Sequence, residues 1–172
     1  LQQLLQLMEG DVVLSASLGS DDKSKELKEL LDEVAAASSH ITIEEKDLKR
    51  TPSFTVDKPD ADTGITFAGL PMGHEFNSLV LALLQVSGRA PKEEQSVIDQ
   101  IKALDRPLNF ETYISLTCQK CPDVVQALNL MSLLNPNITH TMIDGAIFRD
   151  ESEDIMAVPA IYLNGEEFGN GR

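Results

Sequence analysis

The stretch Thr117-Cys118-Gln119-Lys120-Cys121-Pro122-Asp123-Val124-Val125 decides how this sequence is read. Two cysteines two residues apart stand at the start of a segment that reads as a helix from about Cys121 to Leu134. Cys118 falls at the cap, where free N–H groups and the helix dipole stabilise a thiolate. Cys121 falls one turn in, on the same face and within disulfide reach. Pro122 is tolerated there, because a first-turn N–H has no helical partner to lose. In this arrangement Cys118 is the more exposed thiol and attacks a partner disulfide, and Cys121 resolves the mixed disulfide. Lys120 adds positive charge near the thiolate or is simply solvated.

These are the only two cysteines in 172 residues. A loop closed over two intervening residues removes little unfolded-state entropy, so a bond between them serves chemistry rather than stability, in a reducing compartment. Two other readings remain open on the residues alone. A zinc site needs two more ligands, and His40, His74 and His140 form no H-x3-5-H pair. A pair of inert, merely buried thiols is the other alternative. The expectation is redox chemistry and no metal.

Working outward, the second half reads as strand Asn109–Ser115, the helix after Cys118, strand Ile138–Ile143, a polar stretch from Gly145 to Asp154 with a short helix or loop, then Val158-Pro159. Ala160–Leu163 follows as a strand, Asn164-Gly165 as a hairpin turn, and Glu166–Phe168 as the return strand. The first half reads similarly. A short helix spans Leu1–Met8, a strand Asp11–Ala16, and Ser20-Asp21 offers cap oxygens to a helix that ends near Ala37. Leu27, Leu30, Leu31 and Val34 give that helix its 3–4 spacing. Strands Ile41–Ile43, Ser53–Val56 and Ile65–Ala68 follow, with a turn-rich Asp57–Gly64 between the last two. Helices are expected over Gly73–Val86 and, with proline in its first turn, over Pro91–Leu104.

With one offset of 97 residues the halves overlay: Val13 falls on Phe110, Leu27 on Val124, Leu31 on Leu128 and Ile41 on Ile138. Each half then places a proline, Pro52 or Pro159, before a hairpin. The cysteines fall on Asp21 and Ser24, so the first half keeps the scaffold without the thiols. The fold class expected is α/β, a structural duplication.

Two further positions bear on the chemistry. A loop proline facing such a dithiol is commonly cis, and the backbone at Val158-Pro159 can pair with an incoming peptide as an added strand. The plain alternative is an ordinary strand-start proline. Glu75, in Gly73-His74-Glu75-Phe76, could exchange protons with the dithiol if burial raised its pKa. Taken alone it reads better as a first-turn glutamate favoured by the helix dipole. The three histidines read as surface or capping residues, and the Asp21–Lys25 and Lys92–Glu94 charge runs as solvated faces.

Lys and Arg number 14 against 28 Asp and Glu, a formal charge of −14. Such a surface repels phosphate backbones and anionic lipid, so nucleic acid and membrane are not expected partners. No apolar run approaches a membrane span, and no basic n-region precedes an apolar stretch. The acidic balance raises thiol pKa and favours the disulfide product, as in a reducing relay, while Lys120 and the dipole act the other way.

The run Thr112-Tyr113-Ile114-Ser115-Leu116-Thr117-Cys118-Gln119-Lys120-Cys121-Pro122-Asp123-Val124-Val125-Gln126-Ala127-Leu128-Asn129 strongly resembles the N-terminal domain of the flavoprotein component of bacterial alkyl hydroperoxide reductase, the partner of a peroxiredoxin. So do Phe67 to Phe76, the following Leu79 to Leu84, and Val158-Pro159-Ala160 through Gly169, so that the likeness covers nearly the whole chain. The resemblance implies two contiguous thioredoxin-like folds, with mixed β-sheets flanked by helices, acting as one unit. Residues 1–104 would be the redox-inactive fold, and residues 105–172 the fold with C-x-x-C, truncated at its C-terminal end. It implies a longer, homodimeric, cytoplasmic parent whose remaining part binds FAD and NADH. That part's own disulfide would pass electrons to Cys118 and Cys121, which pass them to an oxidised peroxiredoxin. No G-x-G-x-x-G occurs here, so this segment is expected to carry no cofactor.

In the family, the Glu of Gly-His-Glu-Phe lies near the dithiol, which gives Glu75 a proton-handling role. Val158, Pro159, Gln119 and Lys120 become the partner-contacting set. Gln119-Lys120 departs from the His-Asn pair of the best-known members, and that dipeptide tunes the potential. Rival readings are a free-standing glutaredoxin-like protein disulfide oxidoreductase, which would carry a second C-x-x-C where Asp21 and Ser24 stand, and a non-catalytic module with a structural C-x-x-C.

Overall fold

Alternation along Val12-Val13-Leu14-Ser15-Ala16 sends Val12, Leu14 and Ala16 to one face, all of them fully buried, and makes β1 (Val12–Ser17). The computed structural model describes residues 2–170, beginning with a short α1 (Gln2–Leu5) ahead of β1. Then come α2 (Asp22–Ala36), β2 (Ile41–Glu45), β3 (Ser53–Asp57), β4 (Ile65–Ala68), a 3-10 turn at Gly73–Glu75, α3 (Phe76–Val86) and α4 (Gln95–Lys102). The second half supplies β5 (Leu108–Ile114), α5 (Cys121–Leu134), β6 (Ile138–Asp144), a 3-10 turn at Asp150–Ser152, β7 (Ala160–Leu163) and β8 (Glu166–Asn170).

Three expected spans shorten or split. Leu1 lies outside the described residues, and α1 stops at Leu5. Gly73–Val86 divides into the 3-10 turn and α3, because Gly73 takes φ +56° and an added Cβ would lie 2.9 Å from the Leu116 carbonyl oxygen. The α4 helix starts at Gln95 rather than Pro91. Lys92, Glu93 and Glu94 are exposed and have nothing to bury, whereas Ile98 does.

Each half makes the same four-stranded unit. β1 pairs with β2 in parallel and with β3 antiparallel, and β3 pairs antiparallel with β4. β5 repeats this with β6 and β7, and β7 with β8. Parallel pairing of β4 with β6, Ile65 opposite His140 to Ala68 opposite Ile143, joins the units edge to edge. The result is one eight-stranded mixed sheet, order β2-β1-β3-β4-β6-β5-β7-β8. The β7–β8 turn is Asn164-Gly165 with both residues at positive φ, +51° and +88°.

Helices α2, α3 and α5 pack on one sheet face. Leu27, Leu31, Leu79 and Leu83 meet Leu14, Phe54 and Phe67 there, the two rings stacked with centroids 5.3 Å apart. The same core continues across the seam to Ile114, Cys121, Val125 and Met142. On the opposite face Phe148, Ile155 and Tyr162 cover a smaller cluster of Ala68, Tyr113, Ile143 and Ala160.

His140 corrects the surface reading of the histidines. It is fully buried in β6, on the inward row with Ile138 and Met142. Nδ1 lies 2.7 Å from Asn129 Oδ1, and Nε2 lies 2.8 Å from Thr112 Oγ1. An amide oxygen only accepts, so Nδ1 carries the proton and Nε2 accepts from the Thr112 hydroxyl. Burial pushes the imidazole down to about 3. The folded state therefore binds fewer protons than the unfolded chain below the ordinary value of 6.5. The stabilisation is present above that pH and drains away as pH falls from 6.5 toward 3. We predict that imidazole 15N shifts of His140 keep the neutral Nδ1–H pattern at a pH of about 4.5. A ring that protonates near its ordinary value in the folded protein would contradict this geometry.

Candidate active site

The turn from β5 into α5 sets the dithiol. Lys120 occupies the cap position in right-handed helical backbone and makes no side-chain cap bond. The cap is made by sulfur instead: the Cys121 N–H donates to Cys118 Sγ at 3.2 Å. Cys118 and Cys121 form a disulfide with Cα atoms 5.6 Å apart. Cys121 is fully buried, whereas Cys118 is half-buried and reaches solvent. Gln119 and Lys120 lie between them, Lys120 exposed. An N–H aimed at Cys118 Sγ favours the thiolate when the bond opens, so the sulfur that meets solvent is also the one the helix end stabilises as thiolate.

The Val158–Pro159 peptide is cis, and the Val158 carbonyl oxygen lies 3.9 Å from Cys118 Sγ. Pro159 is buried, and Ala160 enters β7 opposite Tyr113 of β5. The loop thus faces the reactive sulfur because β7 is laddered to the strand that delivers it.

Glu75 lies beneath this turn and is fully buried. The His74 N–H donates to the Leu116 carbonyl oxygen at 3.1 Å, two residues before Cys118. On the other side Ser78 Oγ donates to Glu75 Oε1 at 2.7 Å and accepts from Gln126 Nε2 of α5 at 3.1 Å. Glu75 is therefore held between the two segments that flank the cysteines. Its Oε2 has no hydrogen-bond partner among the described residues. Burial raises the carboxyl from 4.5 to about 7, with the Ser78 bond acting weakly the other way. Glu75 does stand at the head of α3, as the plain reading has it, but it is fully buried there.

The first half copies the turn in oxygen. Asp21 Oδ2 accepts from the Ser24 N–H at 3.2 Å, and Ser24 Oγ donates to Asp21 Oδ1 at 2.7 Å. Thr51–Pro52 is cis, as Val158–Pro159 is. Arg50, just before it, crosses to the second half, and no sequence pattern marks it. Its guanidinium meets Glu151 at 2.8 Å and Glu111 at 2.9 Å, and Tyr113 Oη donates to Glu151 at 2.9 Å. No group of three or more His, Cys, Asp or Glu among the described residues is placed to hold a metal.

A family model for a thioredoxin domain matches residues 108–172. The AhpF component of alkyl hydroperoxide reductase in Staphylococcus epidermidis is 77% identical over all 172 residues of this chain, which make up 34% of that protein. The crystal structure of the NTD_N/C domain of the Enterococcus faecalis V583 reductase AhpF is 34% identical, with a TM-score of 0.90, covering 99% of this chain and 91% of that one. The chain belongs to the AhpF family of alkyl hydroperoxide reductases. It spans about a third of the length of the curated relatives it matches.

A protein disulfide oxidoreductase from Aeropyrum pernix K1 shares the fold at 18% identity and a TM-score of 0.84, over 96% of this chain and 82% of that one. As in the family, the chain is a thioredoxin-like dithiol–disulfide oxidoreductase module, corresponding to the N-terminal part of AhpF. Among the described residues no helix is long and apolar enough to cross a membrane.

Glu75 makes stability depend on pH with a definite sign. Its folded-state value lies above the ordinary 4.5, so its contribution is fully present below pH 4.5 and is lost as pH rises through about 7. Glu75→Gln should abolish that slope. In urea unfolding the variant should gain on wild type between a pH of about 4.5 and about 8, by up to about 3 kcal/mol. Parallel stability curves for the two proteins would show that the carboxyl does not carry the proton.

Proposed function

We propose that the module relays two electrons from the disulfide of a flavin- and nicotinamide-binding part of the parent reductase to an oxidised peroxiredoxin. One observation carries this reading: a half-buried Cys118 sulfur that accepts the Cys121 N–H, backed by a fully buried Cys121. A structural disulfide has no need of that asymmetry. The site comprises the catalytic pair Cys118 and Cys121, Glu75 as the proton-handling group, and Val158, Pro159, Gln119 and Lys120 as partner contacts.

In the reduced module the Cys118 thiolate attacks one sulfur of the partner disulfide. The Cys118–partner bond forms as the partner's S–S bond breaks, and the partner leaves one thiolate. Cys121 gives its proton to the Glu75 carboxylate and attacks Cys118 Sγ. The Cys118–Cys121 disulfide forms, and the partner's second thiolate departs. The partner has gained two electrons and the module has lost two. With a value of about 7, Glu75 can both accept and return a proton at neutral pH. Recharging runs the same steps backwards from a dithiol on the rest of the parent.

FAD and NADH belong to that remaining part. The sequence here contains no G-x-G-x-x-G, and Gly165 serves the β7–β8 turn, so these residues do not fit a dinucleotide. The redox-inactive unit is residues 1–104 and the redox-active one residues 105–172, within a homodimeric cytoplasmic parent. The likeness to AhpF and the oxygen-capped copy at Asp21 and Ser24 support this division.

Reduced wild type, Cys118→Ser and Cys121→Ser, mixed with an oxidised two-cysteine peroxiredoxin, give the test. Wild type should reduce it rapidly, Cys118→Ser should lose at least about a thousandfold in rate, and Cys121→Ser should accumulate a mixed disulfide through Cys118. A wild-type dithiol that oxidises normally in glutathione buffer but leaves the peroxiredoxin oxidised would end the peroxide-relay reading.

A further inference from the structure

A groove of about 690 Å³ opens beside the residues that lead into Cys118. Its floor is apolar, from Leu30, Leu70, Leu116 and Ile147, and the exposed Met72 stands at its lip. Thr117, the residue before Cys118, lines it, so it adjoins the dithiol turn. One wall is the outer face of α2, with Lys23, Glu26, Glu29 and Glu33 about one turn apart in succession. That helix belongs to the half without thiols. A single thioredoxin-like unit ending at β4 or beginning at β5 would have half a groove.

The charges along the wall are unequal. Lys23 is matched by Glu26 at 3.1 Å. Arg149, across the groove, donates its Nε–H to the Ala146 carbonyl oxygen. Glu29 and Glu33 are exposed, four residues apart, and make no ion pair among the described residues. Like charges at that spacing repel along the helix, and no ion pair to either is formed among the described residues. The wall from Lys23 to Glu33 is roughly 15 Å long, the span of about four residues of extended chain.

We propose that this groove is the surface that selects the protein substrate. An extended segment of the oxidised peroxiredoxin, flanking its disulfide, lays an apolar side chain on the Leu116–Ile147 floor. A lysine or arginine of the same segment meets Glu29 and Glu33. The inference rests on the relay function above and gives the redox-inactive half a task in it: α2 reads the partner while α5 carries the chemistry.

The test is made in the full reductase chain, reduced, with two oxidants: the oxidised peroxiredoxin and the small neutral disulfide 2,2′-dithiodipyridine. The E29K/E33K variant should transfer to the peroxiredoxin about tenfold more slowly than wild type at low salt. The difference should narrow as ionic strength rises. Both proteins should react equally with dithiodipyridine, because neither Glu29 nor Glu33 touches the cysteines. Met72→Gln should slow transfer to the peroxiredoxin by a smaller factor that salt does not change. Equal transfer by wild type and E29K/E33K overturns the groove and leaves the relay standing. Equal slowing toward both oxidants places the damage in the dithiol and also overturns the groove. A wild type that does not reduce the peroxiredoxin removes the relay reading and the groove with it.

Discussion

Four residue pairs, Ile65 with His140 through Ala68 with Ile143, join β4 to β6 in parallel, and the dithiol depends on that seam. A parallel ladder between two strand edges fixes both the spacing and the facing of everything attached to them. Because Phe67 and Met142 are paired across it, the helices of the two halves lie on one face and share one core. Cys121 and Val125 are buried in the same cluster as Leu79 and Leu83, which come from the first half. Were the seam to slip by one residue, Phe67 and Met142 would turn to opposite faces and Cys121 would lose its apolar surroundings. The seam also lays α3 against α5, which lets Gln126 reach Ser78 and closes the carboxyl of Glu75 off from water.

The same turn is built twice with different atoms. In the second half a sulfur accepts the N–H at the head of the helix, and in the first a carboxylate does. An aspartate cap stabilises a helix by about 1 kcal/mol, so the oxygen version is a good structural device with no redox chemistry. The sulfur version gives up the stronger acceptor and gains a reactive one. Arg50 then ties the two copies together. Its guanidinium holds Glu111 of β5 and Glu151 of the segment leading to Val158. A nearly buried arginine with two carboxylates and a tyrosine hydroxyl on one of them is a fully partnered network, which is the condition for burying such charge without a large loss.

Chemistry is readable in the sequence where it is local. Cys118-Gln119-Lys120-Cys121 before a helix, Asp21 as a cap, and Asn164-Gly165 as a tight hairpin turn each rest on a few adjacent residues. The 97-residue overlay also carries over, since the strand, helix and strand of each half keep their spacing. What escapes such reading depends on distant segments meeting. Glu75 looks like any first-turn glutamate until Leu116 and Gln126 close over it. His140 leaves a faint signal, because it falls on the inward row of Ile138-Thr139-His140-Thr141-Met142. Its partners Thr112 and Asn129 are on other elements, so the neutral ring has no local signature. Pro91 is a permissive helix signal and not a sufficient one; burial of Ile98 sets where α4 forms.

The distribution of labour between the halves follows from what a small thiol site lacks by itself. Two adjacent cysteines on a helix end can exchange electrons, but they need a proton store, an apolar backing for the inner sulfur and a surface that tells one disulfide from another. In this chain the first half contributes to all three. Glu75 is a buried carboxyl whose pKa burial raises to about 7, Leu79 and Leu83 share the core cluster of Cys121, and the outer face of α2 forms one wall of the groove beside Thr117. None of these contributions needs a thiol at the Asp21–Ser24 turn. A repeated unit without thiols can thus still shape the site of its neighbour, provided the seam stays in register.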